Sequence, residues 1–148
     1  MSRNIHQWIN DYGVSHQNKV NKKLHWICVP LIMFTLLGLL SMIKFEILSW
    51  NSNFKVSLGH ILIFLAAIFY LRLSFKISIG MIIISLFQIL IIHYLEINMT
   101  LFNLTVLYFT VFIIAWIGQF IGHKIEGQKP SFFEDLQFLL IGPAWLLS

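Results

Sequence analysis

The sequence predicts an all-α integral membrane bundle of four to five transmembrane helices, led by a helix lying in the interface. Three observations predict it. Of the 148 residues, 58% are hydrophobic and only 11% charged, where a soluble domain carries about a quarter charged residues. The charges are also segregated: uncharged runs of 18, 16, 19 and 27 residues begin at Trp26, Val56, Ile77 and Ile97. No alternating strand pattern runs through them, and a backbone in lipid that is not a closed barrel must satisfy its own hydrogen bonds as helix.

Taken in order, residues 1–25 read as an interfacial N-terminal segment. Ile5, Trp8, Ile9 and Tyr12 recur at helical spacing between Arg3, Asn4, Gln7, Asn10 and Asp11, and Gly13 ends the pattern. These residues contain no apolar core of the kind a cleavable signal needs. Spans are expected near 26–43, 56–75, 77–95 and 101–122, all within a single domain, 1–148. The second reaches Phe75 if Arg72 snorkels to the interface. The fourth lies in a run longer than the roughly 20 residues a crossing helix needs. Asn21 is expected to cap the helix that leads into the first span, and Pro30 to kink it. A short fifth segment, 132–148, is broken by Gly142-Pro143 and either crosses or re-enters.

Orientation follows from the basic residues. With four spans, eight Lys and Arg fall on the N-terminal side and two, Lys44 and Lys55, on the other, so the N-terminus is expected at the cytoplasmic face. The Ile, Asn, Lys and Phe bias favours a bacterial inner membrane, with the endoplasmic reticulum membrane as the alternative. The net charge of +4 hugs the spans and reads as contact with anionic lipid. There is no basic stripe with stacking aromatics, so nucleic acid is not an expected partner. The single cysteine, Cys28, excludes an intramolecular disulfide, and its apolar setting makes it a poor nucleophile.

Two polar clusters sit at the water edge of this topology, both on the cytoplasmic side. One runs from His16 through Asn21 to His25. The other is Gln119, His123 and Glu126, spaced i, i+4, i+7 and therefore on one helix face. An imidazole and a carboxylate three apart on a helix can present two metal ligands to a bundle interior. His16 and His25 are nine apart, so an unbroken helix would set them on opposite faces. A turn near Asn18–Asn21 would let them converge. The residues alone leave two readings open, metal ligands or hydrogen-bonded interfacial side chains. Gly118 and Gly122 form a small-xxx-small pair suited to close helix packing. His60 and His93 are expected near the far side, outside this site. Membrane di-iron hydroxylases need about eight histidines in HxxxH and HxxHH boxes; this chain has six and neither box.

At these clusters the sequence resembles a family of small membrane proteins long labelled only as a domain of unknown function. Its fungal member is a 2-hydroxy-fatty-acid dioxygenase of phytosphingosine breakdown. The matching stretches are Tyr12-Gly13-Val14-Ser15-His16, Asn21, His25 with Val29-Pro30-Leu31, Trp116 to His123, Glu126, Pro130 and Gly142-Pro143. The resemblance implies an Fe(II)-dependent enzyme that uses O2 to shorten a 2-hydroxy fatty acid by one carbon. It implies His16, His25 and His123 as iron ligands, with Glu126 a fourth ligand or an orienting group. Asn21 and Gln119 would hold ligand or substrate oxygens, and Lys22 or Lys124 would meet the carboxylate. The alternatives are another metal-dependent lipid enzyme, or a non-catalytic membrane scaffold or lipid-binding protein whose clusters only cap and pack helices.

Overall fold

The computed structural model describes residues 17–46 and 55–127. The expected N-terminal interfacial stretch, His16 and the fifth segment lie outside the described residues. Within them the order is helix α1, Lys19–Ser41; strands β1, Lys44–Glu46, and β2, Lys55–Ser57; then helices α2, Leu58–Leu73, α3, Phe75–Asn98, and α4, Leu101–Glu126. Three helices, α1, α3 and α4, are long and apolar enough to cross a membrane. The fourth, α2, has 16 residues and so spans about 24 Å, short of the roughly 30 Å hydrocarbon core.

Solvation is inverted relative to a soluble protein. Phe64, Phe87, Leu90 and Phe102 are each more than 60% exposed, whereas Asn21, Thr35 and Ser78 are fully buried. An apolar exterior with polar groups withdrawn to the interior is what a lipid solvent selects, because polar groups find partners only inside. Thr35 shows how such a group is satisfied locally, its Oγ1 donating to Leu31 O at 2.9 Å.

Helix α1 is the hub. It lies antiparallel against α4 along most of its length, and its other flank meets α2 and α3; α3 and α4, though consecutive, barely touch. Small residues set the α1–α4 approach. A Cβ on Gly118 would collide with Cys28 Sγ, and one on Gly38 would lie 2.5 Å from Cζ of Tyr108. Cys28, Ile32 and Ala115 form the core between the two helices, flanked by Phe112 and Trp116. The small-xxx-small expectation for this helix therefore corresponds to real backbone proximity. Gln88 Nε2 donates to Pro30 O at 3.2 Å and ties α3 to α1. Helix α1 continues through Pro30.

Three expectations about elements need correction. The helix that holds the first span starts at Lys19, two residues before Asn21, so its first two turns come from the stretch assigned to the interfacial segment. Its N-cap is Asn18, whose side chain accepts from Val20 N–H at 2.8 Å, not Asn21. A two-stranded antiparallel ribbon, with Lys44 opposite Ser57 and Glu46 opposite Lys55, stands where only a loop was expected. Three-residue strands are too short to show alternation. Helices α2 and α3 are separated only by Ser74. Ser74 caps both helices in extended conformation (φ −164°, ψ 126°).

Tyr108 is fully buried with its ring against Gly38. Gly38→Leu should therefore cost about 2 kcal/mol through overpacking, outweighing the ~1 kcal/mol that replacing a mid-helix glycine returns. Thermal unfolding followed by circular dichroism in detergent measures this. A variant melting at or above wild type would show that the α1–α4 contact is looser than described.

Candidate functional site

The first turn of α1 and the last turn of α4 meet, and a carboxylate joins them. Helix α4 stops at Gly127, which adopts φ 77° and closes the helix by donating to His123 O and Lys124 O. Such a left-handed terminus suits glycine. The stop leaves Glu126 on the last helical position, facing the start of α1. Its Oε1 accepts from Gln17 N–H at 2.7 Å, and both oxygens accept from Asn18 N–H at 3.0 and 3.1 Å. Oε2 also accepts from Asn21 Nδ2 at 2.8 Å. The carboxylate thus caps α1 from another helix, where the orphan N–H groups and the helix dipole both favour an anion. This end of the molecule is the latch end.

One turn inward lie the imidazoles. His25 is 1% exposed and His123 8%, and their ring centroids are 5.2 Å apart at 87°. His25 Nδ1 is 3.0 Å from Asn21 O. A carbonyl can only accept, so Nδ1 carries the proton and Nε2 carries the lone pair. Asn21 is central: its amide nitrogen serves Glu126, its carbonyl orients His25, and its Oδ1 is buried with no partner among the described residues. Gly122 makes this possible. Any side chain there would collide with Asn21 Oδ1, and its Cβ would sit 3.5 Å from His25 Cε1. Gln119, one turn before His123 on the same face, is 6% exposed, and its Nε2 has no partner among the described residues.

Of the residues singled out from sequence, Asn21, His25, Gln119, His123 and Glu126 converge here. Lys22 is half-buried and Lys124 exposed in the flanking turns. His16 lies outside the described residues. Glu126 engages the start of α1 through Gln17, Asn18 and Asn21. Among the described residues, no group of three or more His, Cys, Asp or Glu could hold a metal ion. Two imidazoles are present, in edge-to-face contact.

Sequence reading missed two participants. Gln17 and Asn18 act through backbone N–H groups, which leave no mark on residue type. Gly122, read as a close-packing glycine, here leaves room for the Asn21 side chain. At the opposite end, His60 and His93 sit where the topology set them, but they line one pocket together. That was not expected.

A membrane-type helical bundle with paired buried imidazoles beside a carboxylate-capped helix start is the class that fold and site define. A family model for the 2-hydroxy-palmitic acid dioxygenase Mpo1-like family matches residues 2–148. The chain belongs to that family. None of the curated proteins or solved structures compared with it matches.

Replacing Glu126 by Ala removes the acceptor of three N–H donors at a part-exposed site, a loss of about 2–3 kcal/mol. Hydrogen exchange should then accelerate at Gln17, Asn18 and the first turn of α1 and stay near wild type at the middle of α1. Uniform protection in Glu126→Ala would show that the latch contributes little.

Proposed function

We propose that the chain is an Fe(II)-dependent dioxygenase that shortens a 2-hydroxy fatty acid by one carbon at the latch end of the bundle. The carrying observation is the buried His25–His123 pair, with His25 held by Asn21 O in the tautomer that leaves Nε2 as a ligand. Family membership supplies the substrate class. His25 and His123 would hold the iron together with His16, and imidazole donors suit Fe(II). When bound, the iron would supply open positions for O2 and for the chelating hydroxyl and carboxylate of the substrate. With O2 as oxidant, the C1–C2 bond breaks and C2 becomes the new carboxyl carbon. Loss of C1 as CO2 and release of one water balance the atoms.

The protein's own part is positioning. Glu126, committed to Gln17, Asn18 and Asn21, orients Asn21, and Asn21 orients His25. Gln119 Nε2 and Asn21 Oδ1, both buried and without partners among the described residues, offer a donor and an acceptor to substrate oxygens. Lys22 and Lys124 flank the approach and attract the carboxylate. The acyl tail would lie between the helices. Val29, one turn along α1 from His25, opens a cavity of about 70 Å³ lined also by Met33, Leu36, Leu62, Ala66 and Met81.

We read α2 as a fourth crossing. Helix α1 starts at the latch and ends at the ribbon, where Leu58 N–H donates to Ile43 O at 3.0 Å. Helix α3 ends there too, since Lys44 Nζ pairs with Glu96 at 2.7 Å. Helix α2 must therefore carry the chain back from ribbon to latch, and local thinning of the bilayer accommodates its length. By the basic-residue asymmetry the latch end faces the cytoplasm, in a bacterial inner membrane or, alternatively, the endoplasmic reticulum.

A second reading, a lipid-binding scaffold without catalysis, is favoured by the engagement of Glu126 with the start of α1 in place of a metal. Turnover separates the two. Protein loaded with Fe(II) without oxygen, then given 2-hydroxypalmitate and O2, should form the acid one carbon shorter with matching O2 uptake. His25→Ala and His123→Ala should reduce this to background while keeping wild-type helicity. Bound 2-hydroxypalmitate without O2 uptake, unchanged by either substitution, would favour the scaffold.

A further inference from the structure

The cavity beside Val29 is too small to hold a long acyl tail, and its walls show where the rest can go. Its volume is about 70 Å³, roughly half the ~150 Å³ that takes a benzene ring, so it holds about three carbons. A tail of palmitic length far outgrows it. A second recess of about 10 Å³ lies at the seam between α2 and α3. Ile63, Ala66, Tyr70, Met81 and Ser85 line both spaces. Helix α1 contributes Val29, Met33, Leu36 and Leu37 to the larger one and nothing to the smaller, which has Ala67 and Ile82 instead. The two spaces back onto each other across one seam, one facing α1 and the other facing away from it.

Ala67 and Ile82 are half-buried, and one turn beyond each the surface is lipid-facing: Leu71 is 52% and Leu86 57% exposed. The recess therefore opens toward hydrocarbon. Small residues at this level leave only a thin wall between the two spaces, Ala66 and Ala67 on α2 and Ser85 on α3. Closer to Ser74 the seam is filled. Tyr70 and Met81, 3% and 2% exposed, pack together there with Phe69 and Ile77, which keeps water at that end out. Met33, unbranched and adaptable, lines the larger space and can yield as methylenes enter. Apart from the Tyr70 and Ser85 hydroxyls, every side chain along this way is apolar. Such a passage suits hydrocarbon and not a charged head.

We propose that the α2–α3 seam is a side exit for the acyl tail of the substrate. With the head at the imidazoles, the tail passes Val29, crosses between Ala66 and Ser85, and leaves beside Ala67 and Ile82 into the bilayer. This exit presupposes that the chain is a 2-hydroxy-fatty-acid enzyme, and it defines the substrates further. They are acids long enough to pass the seam, with no upper limit set by the protein, because the extra methylenes stay in lipid. A closed cavity would instead act as a ruler, since each methylene beyond its floor would overpack the core.

The test uses the full chain in nonionic detergent without added metal, with deuterated octanoate, palmitate and tetracosanoate as probes. Native mass spectrometry counts the acid retained per chain. Wild type should retain palmitate and tetracosanoate with affinities within about threefold of each other. Ala67→Trp, which fills the recess, should weaken both by about tenfold or more and leave octanoate within about twofold. If Ala67→Trp loses helicity, Ile82→Trp closes the recess from α3 and should give the same pattern. Wild type that retains neither long acid, or that prefers palmitate by about tenfold or more, overturns the exit. A blocked variant that binds all three acids like wild type overturns it too. Turnover of 2-hydroxypalmitate by the iron-loaded chain is measured alongside. The expected retention pattern without any shortened acid would sink the dioxygenase reading and leave the exit in place. Shortened acid formed equally by wild type and the blocked variants would do the reverse.

Discussion

A carboxylate at the end of the last described helix holds the start of the first, and the site follows from that contact. Glu126 is separated from Gln17 by 109 positions, yet it supplies the acceptor that the first N–H groups of α1 lack. Closing so long a loop is entropically expensive. The contact persists because α1 and α4 are already packed through Gly118, Cys28 and Ala115. Packing sets the distance, and the carboxylate sets the register at which the ends meet. From that register follow the position of Asn21, the tautomer of His25 and the edge-on approach of His123. Charge-assisted bonds of this kind are directional enough to fix a ring and strong enough to matter at a wet boundary.

The two ends of the bundle solve a shared problem differently. Between them the interior is filled by apolar side chains and small residues, with isolated polar groups such as Thr35 bonded to their own helix. At the latch, a single acidic residue meets backbone donors. At the ribbon, Lys44 of β1 pairs with Glu96 of α3, and a serine–histidine box caps the start of α2. Both ends therefore hold buried polar atoms beside apolar walls.

Much of this was legible in the sequence because lipid imposes simple rules. Uncharged runs located α1, α3 and α4 within a few residues at most of their ends, and the i, i+4, i+7 spacing put Gln119, His123 and Glu126 on one face. What was not legible depends on contacts that residue type does not encode. Glu126 was weighed as a fourth metal ligand or an orienting group, and its contacts with Gln17 and Asn18 carried no signal because they are made to the backbone. Asn21 was taken for a helix cap because its type suits one; Asn18 holds that place, and Asn21 is drawn inward by Glu126. The ribbon was invisible because three-residue strands have no period to detect. Without it, Lys44 and Lys55 counted only toward topology, and the pocket joining His60 to His93 had no signal.

The central claim is that the Glu126 latch assembles an iron site around His25 and His123. An anaerobic Fe(II) titration of wild type and Glu126→Gln tests it most directly, because Gln keeps the size and removes the charge that holds α1. The account predicts about one iron per chain in wild type, and affinity weaker by roughly 10- to 100-fold in the variant, with helicity unchanged. Iron bound equally tightly by both would contradict it, and no iron bound by folded wild type would remove the metal site altogether.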